Sequence, residues 1–277
     1  MVKRTPGEPA AHIRVEHDGP TMTITLDRPL RRNALTVHMV DTINASIQRA
    51  SDDDATRAVV ITASGADFCA GMDLAESNRP DDPHAADTRP RAGHLQRRLD
   101  SGTHRMVLTM AAAQVPIVAG VRGWAAGAGT MLALSADVVV ATPDTRFWVP
   151  FVGKGFTPDS GTTWLLPRLV GLARAKEMVL RGKAIGGEQA ADWGLISRCV
   201  PESELDAAVA EVAAELAASA TVAVGLARVL LHENLSVALP AALHNEAIHE
   251  ELAVRSDDFK EGMRAFSQKR AAEFTGR

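Results

Sequence analysis

The chain has 277 residues, of which 46% are hydrophobic and 23% charged, and its formal net charge is −4. That composition supports a sizeable buried core and excludes extended disorder as the default. The mild acidity and the lack of a long basic tract exclude nucleic acid as the main partner. No apolar run approaches about 20 residues, so no membrane span is expected.

Residues 1–11 carry no apolar stretch after their basic residues and read as a loose tail, not a signal peptide. Residues 13–16 and 22–26 (MTITL) predict a hairpin turning at Asp18-Gly19, because threonine alternates with apolar residues. Thr36 predicts the cap of a helix whose Val40, Ile43 and Ile47 recur at helical spacing. Residues 58–62 (AVVIT) predict a short buried strand. Residues 76–93 are rich in Pro, Asp, Arg and His without apolar period, and predict a mobile loop. Residues 117–121 and 138–141 predict two more buried strands. Strands alternating with helices imply an α/β core with parallel pairing. After Pro201 only helices are expected, over 202–219, 222–231, 239–254 and 257–268.

Two cysteines, Cys69 and Cys199, lie far apart and form no metal-type pair. Reduced thiols in a cytoplasmic protein are expected. The histidines give no metal-ligand spacing, and no metal site is expected. Gly127-Ala128-Gly129 is not a dinucleotide fingerprint, since the sixth position of that pattern is Leu132.

Two small-residue segments carry the chemistry. FCAGMDL (residues 68–74) follows the 58–62 strand, and Ala70 and Gly71 let backbone come close to a ligand. GWAAGAG (residues 123–129) runs into a predicted buried helix, whose first peptide N–H groups have no partner within the helix. Such donors suit an oxyanion that develops during reaction. Alone, each segment is a weak signal, since glycines before a helix are more often mere packing or turn residues.

Together with LDRPLRRNALT (residues 26–36) and SDDFKEGMRAFSQKR (residues 256–270), and in this order, they resemble the crotonase (enoyl-CoA hydratase/isomerase) superfamily over nearly the whole chain. The resemblance implies an α/β crotonase-like spiral of ββα units over residues 1–200. It also implies a C-terminal helical trimerisation subdomain over 201–277, in a homotrimer or dimer of trimers. It implies a coenzyme A thioester as substrate, with no separate cofactor. The N–H groups of Met72 and Ala128 would polarise the thioester carbonyl, with Ala70, Gly71 and Gly127 shaping the two turns. Arg31, Arg32, Asp73 and Leu74 would line the CoA path, although Arg31 and Arg32 read equally as a solvated pair. Lys269 and Phe266 would reach a neighbouring subunit's CoA.

The chain departs from the family's hydratases at both catalytic glutamates. Met131 and Phe151 occupy those positions, and neither a thioether nor a phenyl ring transfers a proton. Both read as pocket lining, with Trp148 and Trp164 beside them. One carboxylate remains: Asp159, in GFTPDSG, aligns with the aspartate of the family's dienoyl-CoA isomerases. It reads either as a proton shuttle or as the N-cap of the helix that follows. Three functions stay open. One is an enoyl-CoA or dienoyl-CoA double-bond isomerase. A second is a hydratase, lyase or hydrolase of the same family. The third is a non-catalytic acyl-CoA binding protein.

Overall fold

The computed structural model describes residues 12–74 and 91–277. The expected tail at 1–11 and nearly all of the expected loop at 76–93 lie outside them. The hairpin forms as its alternation predicts. Strands β1 (Ile13–Asp18) and β2 (Thr21–Leu26) pair antiparallel, with Ile13 opposite Leu26 and Asp18 opposite Thr21. Gly19 takes the left-handed conformation that closes the turn. Met22, Ile24 and Leu26 are fully buried.

Strand β3 (Ala58–Ala63) joins β2 in parallel, followed by β4 (Ile117–Val121), β6 (Val138–Ala141) and the short β9 (Arg198–Cys199). The six strands run in the order β1-β2-β3-β4-β6-β9. A second sheet is built from β5 (Trp124–Ala126), β7 (Arg146–Trp148) and β8 (Ile185–Gly186). Its strands are two or three residues long, too short to show an alternation in sequence.

Helix α1 (Val37–Asp52) starts where Thr36 Oγ1 accepts the Met39 N–H at 3.1 Å, and it buries Met39, Val40, Ile43 and Ile47. Helices α2 (His94–Ser101), α3 (Thr103–Ala112) and α4 (Ala128–Leu134) follow. Helix α5 (Thr162–Leu180) is broken at Gly171, whose φ and ψ are not helical. After α6 (Gly187–Asp192), helix α7 (Leu205–Ala218) packs Leu205, Val209 and Val212 on Val60, Val118 and Val140 of the large sheet.

The last helices are α8 (Thr221–Glu233), α9 (Leu239–Ala253) and α10 (Asp257–Gln268). Arg228 of α8 ties this region to the core. Its buried guanidinium meets the Asp137 carboxylate at 2.7 Å and also donates to carbonyls at the end of α3. Helix α9 buries none of its side chains, although Leu239 (70% exposed), Leu243, Ile248 and Leu252 lie along it. Among the described residues no single helix is long and apolar enough to cross a membrane.

Candidate active site

The first small-residue segment leaves the end of β3 and is stitched along both edges. On one edge, the Cys69 N–H donates to Trp124 O and the Ala126 N–H donates to Cys69 O, each at 2.8 Å. On the other edge, the Leu35 N–H donates to Gly71 O and the Asp73 N–H to Leu35 O, again at 2.8 Å. Successive residues of an extended chain point their N–H groups to opposite sides. With Gly71 O and Asp73 N committed to Leu35, the Met72 N–H faces the β5–α4 side. It has no hydrogen-bond partner among the described residues.

The second segment supplies the matching donor. The Gly127 N–H bonds to Trp148 O at 2.8 Å, and Gly127 turns the chain at φ 53° into α4. The Met131 N–H closes the first helical turn on Gly127 O at 3.1 Å. The Ala128 N–H, upstream of that bond, has no partner among the described residues, as expected of a first-turn group.

Contacts between the two segments allow no side chain. A Cβ at Gly71, where φ is +94°, would lie 2.8 Å from Ala126 O and 3.8 Å from Ala128 N. A Cβ at Gly129 would lie 2.5 Å from Cys69 O and 2.7 Å from Cys69 Sγ. The two turns therefore sit back to back. Cys69 is a packing group beneath them: burial pushes its thiol up to about 12, which keeps it neutral and unreactive at ordinary pH.

Three polar residues that the sequence did not single out hold this geometry. Asn33 is fully buried in a left-handed conformation (φ 52°). Its Oδ1 accepts the Arg28 N–H at 2.8 Å, and its Nδ2 donates to Ser64 O and Asp67 O at 2.9 and 2.8 Å. That fixes the loop whose Arg32 O receives the Ala70 N–H. Asp67 Oδ1 accepts the Trp124 N–H at 2.9 Å and so joins the first segment to the second. The Thr130 hydroxyl, buried in α4, bonds Ala125 O at 2.6 Å and Trp148 O at 3.0 Å. Asn33→Ala removes three hydrogen bonds and leaves their half-buried partners unpaired. We expect a loss of about 3 kcal/mol, read as a lower denaturation midpoint at unchanged slope; a midpoint equal to wild type would contradict the role given to Asn33.

The remaining expected residues fall in three groups. Near the turns, the Phe151 ring lies over Gly127, its Cζ 3.8 Å from where a Cβ would stand. Met131 is fully buried on α4. Ala70 is exposed, and Asp73 pairs with Arg28 at 2.7 Å. Leu74, Arg31 and Arg32 are exposed, and Arg32 Nε is 3.5 Å from Asp67. Trp148 contributes chiefly its carbonyl. Its indole donates to Gly182 O at 2.7 Å and stacks edge-on with Trp124. Trp164 lies under the Arg168 guanidinium. Phe266 (79% exposed) and Lys269 end α10, whose polar contacts run to residues 270–277 and not to either turn.

Asp159 sits in the turn before α5, half-buried. The cap reading fails on geometry. Gly161 is the N-cap residue, with no side-chain cap bond. It is the Asp159 carbonyl that receives the Thr162 N–H at 3.0 Å and the Thr162 hydroxyl at 2.7 Å. The carboxylate accepts only the Ser160 hydroxyl, at 2.7 Å on Oδ1, among the described residues.

A cleft of about 1000 Å³ lies elsewhere, between the large sheet, α7 and the C-terminal residues, and is lined by Thr21, Thr23, Arg57, Arg122, Val209 and Phe274. Among the described residues, no group of three or more His, Cys, Asp or Glu side chains is placed to hold a metal ion.

An α/β spiral that sets two glycine turns back to back, each with an unpartnered peptide N–H, is the crotonase architecture. The chain belongs to the enoyl-CoA hydratase/isomerase family: residues 16–277 match that family's profile. It is 39% identical over 265 residues to a protein of Rhodobacter capsulatus named "Probable enoyl-CoA hydratase", covering 96% of this chain and 98% of the relative. It is 35% identical over 256 residues to the 1,2-epoxyphenylacetyl-CoA isomerase of Escherichia coli, covering 92% and 95%. The crystal structure of an enoyl-CoA hydratase from Bacillus anthracis superposes with a TM-score of 0.86 at 26% identity, covering 96% of this chain and 100% of that one. The chain is thus an acyl-CoA enzyme, and the reading as a non-catalytic binding protein is set aside.

Proposed function

We propose that this enzyme moves a carbon–carbon double bond in an enoyl-CoA or dienoyl-CoA thioester. The observation that carries the proposal is the Asp159 carboxylate, which no helix end uses and which has one oxygen free of hydrogen bonds among the described residues. The peptide N–H groups of Met72 and Ala128 hold the thioester oxygen. Asp159 takes the proton from the α-carbon of a 3-enoyl thioester, and the electron pair moves into a dienolate. The two N–H groups stabilise the negative oxygen as it forms. The same carboxyl returns the proton to the γ-carbon, which leaves a conjugated 2-enoyl thioester and regenerates the carboxylate. No water enters the balance and no separate cofactor is needed.

Apolar Met131 and Phe151 support this reading over hydration, because neither activates water. Purified enzyme given a 3-enoyl-CoA in D₂O is expected to produce the conjugated thioester's ultraviolet absorbance, with the γ-carbon carrying chiefly the substrate's own protium, since one carboxyl both takes and returns the proton. A hydroxyacyl product labelled from H₂¹⁸O would instead support the hydratase reading.

The unburied apolar residues of α9, with Phe259, Met263 and Phe266 on α10, support self-association through residues 201–277 as a homotrimer or dimer of trimers. In that assembly Phe266 and Lys269 would approach a neighbouring subunit's CoA, while Arg31, Arg32 and Leu74 line the CoA path of their own subunit.

A further inference from the structure

We infer that Ser160 is a positioning residue for Asp159, holding one carboxylate oxygen so that the other carries the proton. The inference rests on the reading of Asp159 as the proton carrier. Ser160 is fully buried and adopts φ 53°, a left-handed conformation unfavourable for a residue with a Cβ. Glycine would take that conformation without strain, and glycine does follow at once, at φ +80°. Serine therefore adds nothing to the turn that glycine could not supply, except its hydroxyl.

That hydroxyl has one proton, and it goes to Asp159 Oδ1 at 2.7 Å. Oδ2 accepts no hydrogen bond among the described residues. The turn is fixed on two further sides. The Asp159 carbonyl is locked by Thr162. Gly161 is pressed against α3, where an added Cβ would lie 3.3 Å from Val107 Cγ1. With main chain and Oδ1 both held, the carboxylate cannot swing towards the N-terminus of α5 and cap it. A proton carrier that serves two carbons of one chain needs this fixed aim, because small misplacements of a reacting group cost large factors in rate.

The test compares Ser160→Gly and Ser160→Ala with Asp159→Asn in the isomerase assay. Both serine variants lack the hydroxyl. Only the glycine variant also relieves the backbone, so it keeps a folded state if alanine does not. The inference expects kcat to fall about 10- to 100-fold in both, with KM for the acyl-CoA unchanged and the thermal transition of Ser160→Gly close to wild type. Wild-type kcat in either serine variant, with Asp159→Asn inactive, would overturn the role of Ser160 and leave that of Asp159 standing. A fall in kcat matched by a fall in thermal transition or a rise in KM for Ser160→Gly would mark a merely structural serine and overturn it too. Full activity of Asp159→Asn would overturn both.

Discussion

We expect Asp159→Asn to lower double-bond migration at least about a hundredfold, to leave acyl-CoA affinity near wild type and to change stability little. Asparagine has the shape of aspartate, and its amide oxygen still accepts the Ser160 hydroxyl. It cannot take up a proton at neutral pH, and losing a positioned acid–base group typically costs about 10²–10⁴ in rate. Asparagine caps a helix as well as aspartate does, so Asp159→Ala, which removes the side-chain oxygen, is the variant that separates this account from a capping role. A residue whose carboxylate capped α5 would contribute about 1 kcal/mol through that bond. Here the first turn is closed by the Asp159 carbonyl, which any residue at this position retains. An active Asp159→Ala variant with a midpoint lowered by that amount would mean that the carboxylate serves the fold and not the reaction.

Gly71→Ala is expected to lower turnover about 10²–10³-fold, the range found when one oxyanion donor is lost. Two effects act together. The backbone stands at φ +94°, where a Cβ is strained, and that Cβ would lie 2.8 Å from Ala126 O. Because the opposing atom is backbone and not the end of a flexible side chain, the two turns must separate. The Met72 and Ala128 donors then no longer meet on one oxygen. Gly262→Ala serves as the control. It sits within helix α10, and its added Cβ would meet Phe274 at an ordinary 3.5 Å, so its activity should match wild type. Unchanged turnover in Gly71→Ala would show that the contact between the turns plays no part in catalysis.

The sequence made the periodic elements legible. The hairpin, the Thr36 cap and the C-terminal helices all carry a repeating apolar pattern or a local cap signal, and they fold close to their expected bounds. The second sheet carried no such signal, since Trp124–Ala126 and Ile185–Gly186 are too short to alternate. Helices α2 and α3 were not foreseen either. A left-handed Gly93 and a break at Gly102 interrupt a stretch rich in arginine, which hides the period. At the site, the two glycine turns could be read because glycine itself marks close backbone approach. Their supports could not, because Asn33, Asp67 and Thr130 bond mostly to main-chain groups, several far away in sequence, and no spacing announces such bonds. Asp159 was ambiguous for a related reason: a carbonyl that closes a helical turn looks, in sequence, the same as a carboxylate that does.

In the proposed reaction the Met72 and Ala128 peptide groups grip one thioester oxygen. Infrared difference spectroscopy of a bound acyl-CoA carrying ¹³C at the thioester carbonyl measures that grip directly. Two converging donors weaken the C=O bond, so the labelled band should move to lower wavenumber on binding and return towards its solution position in Gly71→Ala. A wild-type complex whose band stays at the solution value while the ligand is fully bound would contradict the account.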